Sequence, residues 1–320
     1  MNKTPYITIL SPAYNKGKTI ARTFESLKKQ TCFNFEWLII NDGSTDNTLS
    51  LLKTFQTDLF TIRIINKKNE GLNRTFNLGV RESKGELVLR LDPDDYLIPT
   101  AIEQVIQYRE TLENNSKLCA VCFLTKFSNG NIVGFHPYKT STISNFIDYR
   151  IKDKAKGDRL EVVKRSVFLE FPMIEIPNEK FCLESLMWNR ISEHYDALYI
   201  PSAIYVREYN DESITSNLTE ILRNNPKGTM ITYSNHVEVL LKKQKEGYQV
   251  RNEVIKNAIN YFRFSFSTQE KLSRIISRIP FFLSLLCFIP GLTLYLIDNL
   301  NPKIINDTIN KLRGNSLNKK

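Results

Sequence analysis

The sequence predicts an α/β chain built on a doubly wound sheet. Three observations carry that prediction. Strand-like and helix-like stretches alternate at short intervals as far as Leu112. Several strand-like stretches are continuous apolar runs, such as Trp37-Leu38-Ile39-Ile40 and Leu87-Val88-Leu89, of the kind that suits a strand covered on both faces. Polar clusters close three of these runs, at 11–15, 41–44 and 92–95. Doubly wound sheets bind ligands at the carboxyl ends of their strands.

Taken in order, residues 6–10 form a short apolar strand. Residues 19–30 carry Ile20, Phe24 and Leu27 at helical spacing. The run 37–40 ends in Asn41-Asp42-Gly43-Ser44. Residues 46–55 read as the next helix, with Ser44 or Thr45 near its N-cap. A strand at 61–65 and a helix at 72–81 follow. A fourth strand, 86–91, stops at Asp92, and a helix over 100–112 opens behind Pro99. After the apolar stretch 118–126, Asn129-Gly130 signals a hairpin turn into 132–135. There the alternation ends. Residues 138–157 are polar and aperiodic and read as a loop. Residues 183–191 read as a helix, 203–209 as a strand, and the chain beyond Thr219 as helical and basic.

The composition, 42% hydrophobic and 24% charged over 320 residues, is that of a globular chain with a substantial core, in one large domain or two ordinary ones. The net charge of +10 suits a polyanionic partner: nucleic acid, acidic lipid or a phosphorylated small molecule. The positive charge is spread, with no aromatic-rich basic patch, which argues against nucleic acid. Five scattered cysteines make no disulfide framework. Cys119 and Cys122 lie in an apolar run without a second pair and read as core residues, so a reducing compartment fits best. Met1-Asn2-Lys3-Thr4-Pro5 leads into a strand and carries no secretory signal, so the expected location is the cytoplasm. Near the end, 279–297 is almost wholly apolar, follows Arg274 and Arg278, and is interrupted by Pro280, Pro290 and Gly291. Its length is at the edge of a membrane span. A helix pair lying in the membrane interface, with the arginines on anionic headgroups, explains the Pro-Gly interruption as well. Peripheral membrane contact is expected over a buried hairpin.

Asp92-Pro93-Asp94-Asp95 sets two carboxylates one residue apart beyond a buried strand. Oxygen ligands of this kind suit Mg2+ or Mn2+. An ion there would bridge carboxylate and diphosphate and neutralise charge on a leaving diphosphate. Asp-x-Asp alone is a common surface turn; its place at a strand end strengthens it. Asp42 is able to accept an imide N–H from uracil, guanine or thymine, and its competing use is an Asx turn before Gly43. Tyr14 in Pro12-Ala13-Tyr14-Asn15 is a candidate to stack on a base. Neither a Gly-rich dinucleotide fingerprint nor a Walker A loop is present, so a diphosphate would be held mainly by metal and side chains.

Together, Ile7-Thr8-Ile9-Leu10-Ser11-Pro12-Ala13-Tyr14-Asn15, Asn41-Asp42-Gly43-Ser44-Thr45-Asp46 and Asp92-Pro93-Asp94-Asp95, with Asn69-Glu70-Gly71 through Asn77-Leu78-Gly79 between them, resemble family 2 glycosyltransferases of the GT-A fold. The resemblance is strong over residues 5–110 and visible to about 215. It implies a GT-A doubly wound mixed sheet with a helical C-terminal extension. The expected catalytic domain is 1–215, with a donor half 1–126 and an acceptor half 127–215. A basic helical region, 216–320, carries the apolar segment 279–297. The implied activity is inverting transfer from a nucleotide-diphosphate sugar, often a UDP-sugar, to a glycan or lipid-linked acceptor, in surface polysaccharide synthesis at the inner membrane face.

By the matching positions, Pro12, Ala13, Tyr14 and Asp42 would bind the nucleoside. Asp92 would lie near ribose and diphosphate, Asp94 would hold Mn2+ or Mg2+, and Asp95 would support the loop. Inversion in one displacement needs an acceptor-side carboxylate to take the hydroxyl proton. Phe181-Cys182-Leu183-Glu184-Ser185-Leu186-Met187-Trp188-Asn189 resembles the family segment in which an acid opens a helix. Glu184 is therefore the candidate base, with Glu175 and Glu179 as rivals. Arg159 and Arg207 lie in segments that resemble recurring family motifs but have no assigned role. There are departures: Phe76 stands where family members often carry Arg, the nearby basic residue is Arg74, Arg90 is a charge inside the fourth strand, and Pro93 fills the middle of the acidic motif. The competing readings are a sugar nucleotidyltransferase, faintly echoed by Lys16-Gly17-Lys18, and a non-catalytic nucleotide-sugar-binding protein.

Overall fold

The computed structural model describes residues 4–208 and 218–300. The chain divides into two compact units, Met1–Asn217 and Leu218–Lys320. The expected boundary at 215/216 lies outside the described residues.

In the first unit, β1 (Ile7–Ala13), α1 (Ile20–Lys28), β2 (Phe35–Asp42), α2 (Thr48–Leu52), β3 (Thr61–Lys67), α3 (Leu72–Glu82) and β4 (Leu87–Arg90) form the alternating half. Their strands pair in parallel in the order β3-β2-β1-β4, with Ile9 opposite both Trp37 and Leu89. The second half comprises β5 (Tyr96–Leu97), α4 (Ala101–Ile106), α5 (Arg109–Glu113), β6 (Leu118–Phe127), β7 (Thr142–Ser144), α6 (Phe146–Ile151), β8 (Arg159–Lys164), α7 (Arg165–Glu170), α8 (Ser185–Ser192) and β9 (Asp196–Arg207). Here β8 joins β4 antiparallel, β6 joins β8 antiparallel, and β9 runs parallel to β6. The sheet is therefore mixed and nine-stranded, with helices on both faces.

Apolar residues fill both faces because both are covered. All eight residues of β2 are buried. On one face, Ile7, Ile9, Trp37 and Ile39 meet Ile20, Phe24 and Leu27 of α1 and Ile102 and Val105 of α4. On the other, Leu10, Leu38, Ile40 and Val88 meet Phe76 and Val80 of α3, Val167 of α7 and Met187 of α8. Each fully buried aliphatic side chain contributes about 1.5–3 kcal/mol. Phe24 stacks on Trp37 (5.8 Å, 10°) and on Phe55 (4.5 Å, 18°), which fixes α1 over the sheet. Ser11 ties three strands: it accepts from Trp37 Nε1 at 3.0 Å and donates to the Leu91 carbonyl at 2.6 Å.

Several local expectations need correction. The helix expected at 46–55 is only Thr48–Leu52, with Asn47 at its N-cap; Asp46 just ahead accepts from Thr48 N through Oδ1 at 2.9 Å, and Ser44 and Thr45 bond to Asn15. The helix expected at 100–112 is two short helices. The Asn129-Gly130 turn forms, but 132–135 makes only isolated bridges. The stretch 138–157 is not all loop: it contains β7 and α6, the latter capped by Asn145, whose side chain accepts from Asp148 N. That Asn-x-x-Asp signal was readable. The strand expected at 203–209 is longer, Asp196–Arg207; Tyr209 lies outside the described residues.

The second unit consists of α9 (Leu218–Asn224), α10 (Pro226–Lys245), α11 (Arg251–Ser265), α12 (Leu272–Ser277) and α13 (Phe281–Leu300). Pro226 opens α10, where its missing N–H costs nothing. Tyr233 of α10 stacks on Phe264 of α11. The Pro-Gly interruption does not yield a helix pair. The helix α13 runs through Pro290, while Gly291 lies against α11 so closely that a Cβ would stand 2.4 Å from Phe262 Cβ.

Gly85 enters β4 with its Cα against the β1 backbone. A Cβ there would lie 2.4 Å from Thr8 N and 2.6 Å from Ile7 C, and neither backbone atom has room to move. Gly85→Ala is predicted to destabilise the first unit by about 1–3 kcal/mol. The check is the urea midpoint, which should fall with the slope unchanged.

Candidate active site

Three loops meet beyond the carboxyl ends of β1, β2 and β4. Asn15 adopts a left-handed backbone (φ 52°), which lets its Oδ1 accept from Thr45 N at 2.8 Å while its own N donates to Ser44 Oγ at 3.0 Å. The β1 and β2 loops are thereby laced together. Tyr14, at their rim, is 46% exposed. Pro12 and Ala13 complete β1 beneath it.

Asp42 is buried and engaged. Lys67 Nζ and Glu70 N donate to its Oδ1 (2.5 and 2.9 Å), and Gly71 N donates to Oδ2 at 2.9 Å. Asp42 thus organises the 67–71 loop, and acceptor capacity remains on Oδ2. Gly71 (φ 93°) is required there: a Cβ would collide with the Lys180 carbonyl at 2.0 Å.

The acidic turn is held by its backbone. Thr19, Arg22 and Thr23 of the α1 region donate to the carbonyls of Pro93, Asp94 and Asp95. Asp95 is 3% exposed; its carboxylate accepts from Tyr205 Oη at 2.7 Å and Glu208 N at 3.0 Å, binding the turn to β9. Burial pushes its pKa up to about 6, with the charges of Asp92 and Asp94 adding. The other two carboxylates make separate ion pairs. Asp94 Oδ2 lies 2.5 Å from Lys16 Nζ, and Asp92 Oδ1 lies 2.8 Å from Arg90 Nε.

Arg90 resolves the anomaly of a charge inside β4. It also pairs with Glu184, so one guanidinium joins Asp92 to Glu184, 94 residues apart from Arg90 in sequence. Burial opposes its charge, but the two carboxylates outweigh that and hold its pKa above the ordinary arginine value. Glu184 stands at the N-cap position of α8, with its carbonyl accepting from Met187 N and Trp188 N. Two asparagines one turn apart on α3 place this segment. Asn77 exchanges a pair of hydrogen bonds with the Met173 backbone, and Asn73 exchanges a pair with Cys182.

The rivals of Glu184 are placed differently. Glu175 accepts from Asn77 and faces Arg74, while Glu179 is buried. Arg74 donates to the carbonyls of Ile176 and Glu179, and Phe76 is buried edge-on to Phe168. Arg159 is spent on the Tyr149 hydroxyl and the carbonyls of Phe135 and Asp158. Arg207 pairs with Asp158 and lies 3.9 Å from Asp95. Cys119 and Cys122 are buried free thiols.

Residues 8–163 match the family model described as glycosyl transferase family 2. Residues 8–163 form a glycosyl transferase family 2 domain. Hyaluronan synthase of Pasteurella multocida is 37% identical over 119 residues, which are 37% of this chain and 12% of that protein. Chondroitin synthase of Escherichia coli is 37% identical over 113 residues, 35% of this chain and 16% of that protein. The matches thus span less than a fifth of either relative's length. Among solved structures, S. aureus TarS 1-349 in complex with UDP-GlcNAc has a TM-score of 0.61 at 16% identity, covering 90% of this chain and 89% of that one. Mannosyltransferase PcManGT from Pyrobaculum calidifontis, in complex with GDP-Man and Mn2+, has a TM-score of 0.53 at 13% identity, covering 94% and 89%. These likenesses establish the GT-A fold.

The family 2 match includes Asp42, Asp92 and Asp94 but ends before Glu184. The chain also holds a carboxyl that sequence reasoning missed. Glu161 of β8 shares a sheet face with Val163, and burial pushes its pKa up to about 8, with Arg150 opposing and the charges of Glu184 and Asp158 adding. Its signal was one acid in Leu160-Glu161-Val162-Val163, legible only once 159–164 is recognised as a strand. The folded chain therefore keeps a proton on Glu161 that the unfolded chain releases from about pH 4.5 upward. Stability should fall as pH rises from 4.5 through 8, by the slope of about one proton. Glu161→Gln should flatten that slope in thermal unfolding across the window; an unchanged slope would contradict the assignment.

Proposed function

We propose that this chain is an inverting glycosyltransferase that moves a sugar from a nucleotide-diphosphate donor, with uracil as the base, to a hydroxyl of a glycan or lipid-linked acceptor in surface polysaccharide synthesis. The observation that carries the reading is the Arg90 bridge, which puts an acid of the donor side, Asp92, and an acid at the head of an acceptor-side helix, Glu184, on one guanidinium. Polysaccharide synthases among the relatives and the UDP-GlcNAc complex of TarS support the substrate class.

In this reading Tyr14 stacks on the base above Pro12 and Ala13, and the remaining acceptor site on Asp42 Oδ2 takes the base N–H. Asp94, with Asp92 beside it, offers the hard oxygen donors that Mn2+ or Mg2+ prefers. Among the described residues no cluster of three or more His, Cys, Asp or Glu side chains is placed to hold an ion. The diphosphate and water must then complete the coordination, and affinity for the ion should depend on nucleotide. When bound, the ion would neutralise charge on the departing diphosphate. Lys16, now on Asp94, would be released toward the phosphates. The acceptor oxygen attacks the anomeric carbon as the bond to the diphosphate breaks, and Glu184, oriented by Arg90, takes the hydroxyl proton. The chain would work in the cytoplasm at the inner membrane face, with 279–297 as the contact.

Thermal unfolding against a panel of nucleotide sugars tests the donor reading: a UDP-sugar with Mn2+ should raise the midpoint, and Asp94→Ala should abolish the rise. Glu184→Gln should keep that rise yet lose transfer by about 10²–10⁴-fold. Transfer untouched in both variants would refute the mechanism, and retained anomeric configuration in the product would refute inversion. Pyrophosphate release from a sugar phosphate and UTP would favour a nucleotidyltransferase instead.

A further inference from the structure

The helix α13 turns its apolar side outward. Along its inner side Leu283, Ser284, Cys287, Gly291 and Asp298 are buried, at the spacing of a single helical stripe. Phe288 meets Phe262 and Phe266 at 5.4 and 5.3 Å, and Tyr295 meets Phe266 at 5.6 Å. Asp298 is clasped by Arg263 (2.6 and 2.8 Å) and Arg223 (2.7 Å). The opposite side is apolar and uncovered: Phe281 is 75% exposed, Leu285 76% and Ile289 65%, with Phe282, Leu286, Leu296 and Ile297 also exposed. A continuous apolar face of this length marks an interaction surface.

The flank says what covers it. Lys271, Arg274 and Arg278 precede α13 at i, i+3, i+7 spacing and are exposed. Arg278 reaches Glu270 at 3.5 Å, while Lys271 and Arg274 have no acidic partner among the described residues. Between Leu218 and Leu300 eleven Lys and Arg stand against six Asp and Glu. A cationic margin beside an apolar face matches an anionic lipid surface, where acyl chains take the apolar side chains and headgroups the charges. A span is disfavoured by the inner stripe. To cross the bilayer, α13 would have to leave α11 and strand Asp298 and its two arginines at lipid contact.

We propose that the second unit is a monotopic membrane anchor: α13 lies in the plane of one leaflet, inserting Phe281, Phe282, Leu285, Leu286 and Ile289, while Lys271 and Arg274 sit on anionic headgroups. This rests on the proposed membrane location but not on the transfer chemistry. The test is flotation of the full chain with vesicles of equal parts phosphatidylcholine and phosphatidylglycerol, against phosphatidylcholine alone. The chain should float with the anionic vesicles and release in high salt. Both Leu285→Glu with Ile289→Glu and Lys271→Glu with Arg274→Glu should weaken binding about tenfold or more. Helical content and donor hydrolysis should be unchanged, because Leu285 and Ile289 are exposed side chains of the second unit and the proposed donor site belongs to the first. The anchor is overturned if both double variants bind like the parent. It is also overturned if alkaline carbonate fails to extract the chain from membranes, or if the chain is a dimer in lipid-free solution that Leu285→Glu with Ile289→Glu dissociates. Loss of donor hydrolysis in the parent chain with flotation intact would indict the transfer reading alone.

Discussion

Arg90 stands on the face of β4 that Val88 shares, among side chains of the apolar cluster beneath α3, α7 and α8. A partly buried guanidinium is unfavourable there unless charged partners with good geometry offset its lost hydration. Asp92 supplies one partner from the same strand end. The other must come from elsewhere, and it is Glu184. Through this pairing the head of α8 meets the end of β4, joining parts of the first unit that are distant in sequence. The paired amide bonds of Asn73 and Asn77 hold the intervening 173–182 stretch down on α3, so Glu184 arrives on a fixed backbone.

The same economy runs through the loops. Polar groups at the strand ends hold the loops to one another. Asp42 folds the 67–71 loop and presents a free lone pair. Asp95 closes the acidic turn on Tyr205 and leaves Asp92 and Asp94 to point elsewhere. Lys16 neutralises Asp94. Such a site is preorganised by its own backbone bonds, which is the condition for electrostatic stabilisation of a developing charge.

The donor half was legible because its signals are local. Continuous apolar runs at 37–40 and 87–89 could only be strands covered on two faces, and the acids at their ends followed directly. The half after β4 was harder for a physical reason: β8 and β9 pair with strands distant in sequence, so β8 and the first part of β9 carry no local signal and only 203–209 read as strand. The strand holding Glu161 went unrecognised for that reason, and its carboxyl with it. The role of Arg90 was hidden too, since a charge in a strand reads as an oddity until its partner 94 residues on is known. In the second unit the sequence showed an apolar segment but not its orientation. Only packing separates Leu283 from Leu285, two residues apart and on opposite sides of α13.

The account stands or falls on Arg90 as the link between donor acid and acceptor base. The most direct test is single-turnover transfer by Arg90→Met at saturating donor and Mn2+, beside the donor affinity of the same variant. With Glu184 released from its bridge, the transfer rate should drop about 10²-fold or more, while donor affinity changes far less. A variant that transfers at the parent rate would contradict the central claim.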